Sequence, residues 1–178
     1  METKSKYKFV NYLWDEKKAK EFGDDQVALF LYRSNLLGAD LRITNFGGGN
    51  TSCKTIKKDP ITNEAVEVMW IKGSGGDIGT LKRDGLAGLY VQRLHNLKKA
   101  YRGLEHEDEM VVLFNHCIYD LDSKTPSIDT PLHGLLPFKH IDHLHPDSLI
   151  AIAAAANSEK ITKEIWGDTI GWVPWQRP

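Results

Sequence analysis

The chain has 178 residues, of which 41% are hydrophobic and 26% charged, with a formal net charge of −1. That length fits one domain with a substantial core, and the composition is that of a globular chain rather than a disordered one. The near-neutral charge excludes a global field for nucleic acid or an anionic membrane, so any site for an anion has to be built locally. Cys53 and Cys117 form no CxxC pair and read as two buried thiols in a reducing cytoplasm.

METKSKYKFV at the N-terminus is charged with no apolar run behind it, so it does not read as a signal peptide. DEKKAKEFGDDQVALFLYRSNLLGAD predicts a helix, with Leu29, Tyr32, Leu36 and Leu37 at helical spacing and Gly38 as its stop. LRITNFGGGNTSCKTI predicts two strands joined by a glycine turn, and KKDPITNE a turn at Pro60 and Asn63. AVEVMWIKGSG reads as a strand running into a second glycine loop, and LAGLYVQRLHNLKKAY as an amphipathic helix. MVVLFNHCIY fits a strand or a helix equally, SKTPSIDTP is a loop, and His140 to His145 reads as a strand. Pro146 and Asp147 open an alanine-rich helix. Its apolar run, Leu149 to Ala156, is too short to cross a bilayer, which needs about 20 residues, and reads as buried. Trp166, Trp172 and Trp175 in the tail suit a core or an interface. The mixture argues for a single α/β layered domain with a central sheet.

Chemistry concentrates in SIDTPLHGLLPFKHIDHLHPD, Ser127 to Asp147, which holds four of the seven histidines. His143 and His145 stand one residue apart, and an extended backbone turns both imidazoles to one face. Imidazole and carboxylate are the usual ligands of a borderline cation such as Zn²⁺, and Asp129 and Asp142 lie close in sequence. Three polar loops accompany the histidines: Gly47 to Ser52, Lys72 to Gly76, and Ser127 to Asp129. Glycines let backbone N–H groups approach a ligand, and successive N–H groups form an anion nest. Taken singly, a glycine cluster is a tight turn. The second loop is no P-loop, because its lysine precedes the glycines, and the first is no dinucleotide fingerprint. Jointly, three such loops beside a histidine cluster suggest a phosphorylated substrate held next to a metal. His95, His106 and His116 read as surface or core residues, while His133 and His140 stay open between ligand and supporting roles. KTIKKDP reads as a solvated turn, and no basic interleaving makes the tryptophans a stacking platform for nucleic acid.

GGGNTS, IKGSGG and PSIDTPLHGLLPFKHIDHLHPD together resemble, in order and content, the class II aldolase/adducin family. The likeness covers nearly the whole chain and is closest to the aldolase part of bifunctional rhamnulose-1-phosphate aldolase/alcohol dehydrogenase proteins. It implies a three-layer α/β domain over residues 1–178, with a central, mostly antiparallel sheet flanked by helices. It also implies that the chain stops before the aldolase domain is complete. Further aldolase residues and an NAD(P)-dependent dehydrogenase domain are expected downstream.

By the same resemblance, Asn50, Thr51, Ser74, Gly75 and Ser127, with Lys72 adjacent, bind the substrate phosphate. His143 and His145 hold Zn²⁺ with a third, later histidine, and Asp129 takes the acid/base role that family members usually give to a glutamate. The implied reaction is cleavage of L-rhamnulose 1-phosphate to dihydroxyacetone phosphate and L-lactaldehyde by a cytoplasmic homotetramer, with neither nucleic acid nor membrane as partner. Another sugar-phosphate epimerase or dehydratase of the family is the alternative within the fold, and a non-catalytic adducin-like module the alternative outside catalysis. Because no histidine follows His145, the chain alone is expected to bind zinc weakly or not at all and to be inactive.

Overall fold

The computed structural model describes residues 12–176; the N-terminal decapeptide considered as a signal lies outside them. The first predicted helix is two. Asp15 caps α1 (Glu16–Glu21) by accepting from the Lys17 and Lys18 amides, and Asp25 caps α2 (Gln26–Gly38) through Val27 and Ala28. Gly23, at φ +53°, makes the turn between them. α2 buries Val27, Phe30, Tyr32, Ser34 and Gly38; of the four residues expected at helical spacing Tyr32 is thus buried, while Leu29, Leu36 and Leu37 are half-buried.

Only one of the two strands expected around the first glycine loop forms. Residues 41–44 instead wrap onto Asp40, whose carboxylate accepts from the Arg42 amide and whose carbonyl accepts from Ile43 and Thr44. The strand that forms is β1 (Asn50–Lys58). It turns at Asn63, φ 60°, into β2 (Ala65–Lys72). The segment expected as one helix from Leu86 splits into β3 (Leu86–Tyr90) and α3 (Val91–Asn96). Its first half pairs residue for residue with Val68 to Lys72, and that pairing overrides a helical pattern. The ambiguous apolar segment is helical, as α4 (Glu107–Leu113) and a tight 3₁₀ turn to Cys117. α5 (Thr130–Leu135), β4 (His140–His143), α6 (Asp147–Ala153) and α7 (Ser158–Trp166) follow.

The sheet has the order β3-β2-β1-β4, and every neighbouring pair is antiparallel. Side chains alternate across it, which creates two cores. On one face Val27 and Phe30 of α2 meet Cys53, Val68, Trp70 and Leu86. On the other, Met69, Ile71, Ala87 and Leu89 meet Val91 and Leu94 of α3. Helix, sheet and helix therefore form three layers, the α/β architecture expected from the sequence. Both cysteines are buried free thiols. α6 departs from expectation: it packs on α7 but leaves Leu149 and Ile150 exposed. Among the described residues, no helix is long and apolar enough to cross a membrane.

α2 approaches the next loop at Gly38, where an added Cβ would sit 2.1 Å from the backbone nitrogen of Gly79. Gly38→Ala is expected to destabilise the fold by about 1–3 kcal/mol, because backbone cannot yield as a flexible side chain does. Gly171→Ala meets nothing within 4 Å and should stay within about 0.5 kcal/mol of the parent. Urea unfolding of the two variants checks the contrast, and equal midpoints would contradict it.

Candidate active site

β1 divides its residues between the two layers. Thr51 and Cys53 face α2: the Thr51 hydroxyl hydrogen-bonds Ser34 at 2.8 Å, and Cys53 joins the α2 core. Asn50, Ser52 and Lys54 face α5. Asn50 donates to Asp129 Oδ2 at 3.3 Å, Ser52 bonds His133 Nδ1 at 2.8 Å, and the Lys54 ammonium donates to the Leu136 carbonyl. On its other edge β1 pairs with β4, so that Asn50 lies opposite His143. Residues directly opposite in an antiparallel pair share a face. Asn50, Asp129 and His143, far apart in sequence, thus meet at one point.

The same register separates residues the sequence placed together. Asp142, one position off, turns to the α2 side and pairs with Arg33 at 2.6 Å. His140 shares that parity and lies on the α2 side as well. Thr51 was expected to bind phosphate, but its side chain is buried on the face away from Asn50.

Asp129 stands at the N-cap position of α5, yet its carboxylate does not cap the helix. Oδ2 instead accepts from Ser127 Oγ at 3.0 Å and from Asn50, while Oδ1 lies 3.5 Å from His143 Nδ1. That last separation is an electrostatic contact, long for a hydrogen bond. The His143 ring, followed by the Asn50 and Ser127 hydrogen bonds, holds the Asp129 carboxyl well below the usual carboxylate range, against the opposing effect of burial. The resting group is an ionised acceptor. Burial alone would raise its pKa, and the three contacts outweigh that effect.

His143 turns Nε2 away from Asp129 and towards His145, whose Nε2 stands 3.0 Å off. His145 lies just past the end of β4, packed on the first glycine loop. A Cβ on Gly48 would come within 2.7 Å of its Nδ1, and one on Gly49 within 2.7 Å of the His143 carbonyl. These glycines therefore do more than turn the chain: they admit the histidine segment. Burial keeps the His145 imidazole neutral to lower pH than usual. Two imidazoles with converging nitrogens fit a zinc ion, since tetrahedral ligands at about 2.0–2.1 Å stand roughly 3.3 Å from each other. A carboxylate on the far nitrogen of a zinc-binding histidine orients the ring and sets its tautomer, and Asp129 is placed to do this for His143. Among the described residues, no group of three or more His, Cys, Asp or Glu side chains gathers as a complete cage. Neither His133, bonded to Ser52, nor His140 joins the pair.

The second loop brings a cation. Lys72 is 5% exposed and donates to the Gly73 carbonyl at 3.3 Å. Burial lowers its pKa, and Asp129 and Asp77 oppose that shift, which places the ammonium within electrostatic reach of the site. Ser74 and Gly75 beside it are exposed. The Ser74 amide is already given to the Thr125 carbonyl, leaving its hydroxyl for a ligand.

Sequence reasoning did not single out Ser52 or Gly48. Period-two alternation starting from Asn50 points to Ser52; the packing role of Gly48 has no local signal. Buried polar atoms without a hydrogen-bond partner among the described residues concentrate here, at Asn50 Oδ1, His133 Nε2 and His143 Nδ1. Such atoms are rare in folded proteins and mark places organised for something other than stability.

The sequence model described as Class II Aldolase and Adducin N-terminal domain matches residues 31–178. A relative from Bacillus subtilis (strain 168), "Uncharacterized oxidoreductase YuxG", is 43% identical over 169 residues, which are 95% of this chain and 24% of that protein. The chain thus spans about a quarter of that relative's length. The solved N-terminal class II aldolase domain of a conserved protein from Thermoplasma acidophilum superposes with a TM-score of 0.76 at 27% identity, covering 89% of this chain and 71% of that one.

His133 makes the site acid-sensitive. Burial, opposed by Asp129, lowers its pKa from 6.5 to about 4. Between those values the unfolded chain binds more protons than the folded one, so stability present above pH 6.5 falls as pH drops towards 4. His140 and His145, also lowered by burial, contribute in the same direction. His133→Leu is expected to flatten that fall by about 1–3 kcal/mol. Denaturation across a pH series measures it, and an unchanged slope would contradict the assignment.

Proposed function

The chain belongs to the class II aldolase and adducin family, and on that premise we propose that it carries the metal-binding half of a zinc-dependent sugar-phosphate aldolase. The substrate in this reading is L-rhamnulose 1-phosphate, cleaved to dihydroxyacetone phosphate and L-lactaldehyde. The supporting observation is the ionised Asp129 set beside a His143–His145 pair whose Nε2 atoms stand 3.0 Å apart. His143 and His145 would hold the metal. When bound, zinc supplies Lewis-acid polarisation of the ketose carbonyl.

The chain's own residues do the rest. In the direction of carbon–carbon bond formation, the Asp129 carboxylate accepts the proton from the hydroxymethyl carbon of dihydroxyacetone phosphate that becomes the nucleophile. In cleavage it returns that proton to the same carbon. Asn50 and Ser127 hold the carboxylate in place through its second oxygen. Lys72 and the exposed Ser74–Gly75 turn bind the phosphate, which fixes the reacting carbons against the histidines. Aspartate in place of the family's usual glutamate shortens the reach by one methylene. The contacts to β1 that bring Asp129 close to His143 offset that loss.

The domain organisation belongs to the same proposal: residues 1–178 lead into further aldolase residues and a dehydrogenase domain. The length and the oxidoreductase name of the Bacillus relative support it.

The decisive assay follows dihydroxyacetone phosphate released from L-rhamnulose 1-phosphate by the full-length protein. Release should require zinc, disappear on chelation, and return on adding the metal. Asp129→Asn should lower kcat by about 10²–10⁴-fold, the usual contribution of a positioned acid/base. No release by zinc-loaded protein would overturn the reading, and turnover of a different sugar phosphate would move the substrate but keep the site.

A further inference from the structure

We propose that His133 is a positioning residue: bonded to Ser52, it sets the register of α5 on β1 and thereby holds the Asp129 carboxylate at His143. The inference deepens the function proposed above and relies on it only for what Asp129 does chemically.

Three rungs join the strand to the helical segment. Asn50 meets Asp129, Ser52 meets His133 four residues on, and Lys54 meets the Leu136 carbonyl three further. Two strand residues advance about 6.6–6.8 Å and four helical residues about 6.0 Å, so the spacings nearly coincide. The middle rung is the short side-chain contact, at 2.8 Å, and His133 is 0% exposed. A slip of one residue would rotate α5 by about 100° and carry Asp129 away from Asn50 and His143.

Behind α5 the packing is uneven: the helix rests on α3, and a cavity lies beside that contact. Ile128, Pro131 and Leu135 on that side line a cavity of about 540 Å³ shared with Leu94 and Phe114. The close contact there is Gly134 against Leu94. For a six-residue helix backed partly by a cavity, the rungs in front fix the register together with the Gly134–Leu94 contact. His133 Nε2 is buried with no hydrogen-bond partner among the described residues, a penalty that a leucine of similar size would avoid. The bond to Ser52, rather than apolar filling, accounts for a histidine at this position.

The test uses the Asn50 side-chain amide as reporter, because its N–H is donated to Asp129. Its NMR cross-peak is followed in this chain, with Asp129→Ala marking the position for a lost bond. His133→Leu should move the peak towards that position. Ser52→Ala, which removes only a hydroxyl, should do the same, with the dispersion of the other amide peaks reporting that the variant is folded. His133→Asn should bring the peak most of the way back, since its amide reaches as far from the backbone as imidazole Nδ1. In the full-length zinc-loaded protein, kcat of His133→Leu should fall about 100-fold with KM near the parent value, the effect of misplacing a catalytic group by about an ångström. A purely structural role predicts that His133→Asn does no better than His133→Leu, and that result overturns the proposal. So does a reporter peak unmoved in folded His133→Leu and Ser52→Ala. If the peaks move as expected while the parent protein releases no dihydroxyacetone phosphate, the aldolase reading falls and the positioning role stands.

Discussion

The β1 strand sends Asn50, Ser52 and Lys54 to one face of the sheet and Thr51 and Cys53 to the other. Everything at the site depends on that division. The odd-numbered side chains tie the strand to α2 and its apolar core. The even-numbered ones are polar and buried, and they find partners in α5 and the residues that flank it. Pairing with β4 then brings His143 beside Asn50 and sends Asp142 to Arg33 on the opposite side. A one-residue slip of β4 would exchange the two and place a paired aspartate where the imidazole stands.

The chemistry is bought with local stability. Asp129 forgoes capping its helix, an interaction worth about 0.5–2 kcal/mol elsewhere. Buried polar atoms without a hydrogen-bond partner among the described residues, on Asn50 and His133, each cost about 1–3 kcal/mol by general experience. The two large apolar clusters lie to either side of the sheet and supply the compensating burial. The carboxylate, in turn, owes its low pKa to the same donors that fix its orientation. Position and charge state are set by one group of contacts, so a change that loosens Asp129 also makes it easier to protonate.

Much of this was legible in the sequence. The glycine loops, Lys72, the Asp129 segment and the His143–His145 pair carry side chains whose chemistry is specific, and the order of the motifs pointed to the family that the matches show. The layered α/β architecture followed from the mixture of patterns. The failures have physical reasons. Leu86 to Tyr90 has the apolar spacing of a helix start but becomes a strand because β2 offers an unpaired edge. Residues 41–44 have strand-like composition but yield to the hydrogen bonds of Asp40. Thr51 sits among site residues in sequence and faces away from them in space, since adjacent strand residues always point to opposite faces. The role of Gly48 is invisible until His145 is seen against it, because long-range packing leaves no mark on local composition.

The central claim is that His143 and His145 bind a metal through their facing Nε2 atoms while Asp129 supports the ring of His143 from behind. Anomalous diffraction at the zinc edge from the zinc-loaded, full-length protein tests this most directly. The expected result is a single strong peak between the two Nε2 atoms, with the Asp129 oxygens on the Nδ1 side of His143 and outside the coordination sphere. A peak coordinated by Asp129 itself, or no peak at the histidine pair, would contradict it.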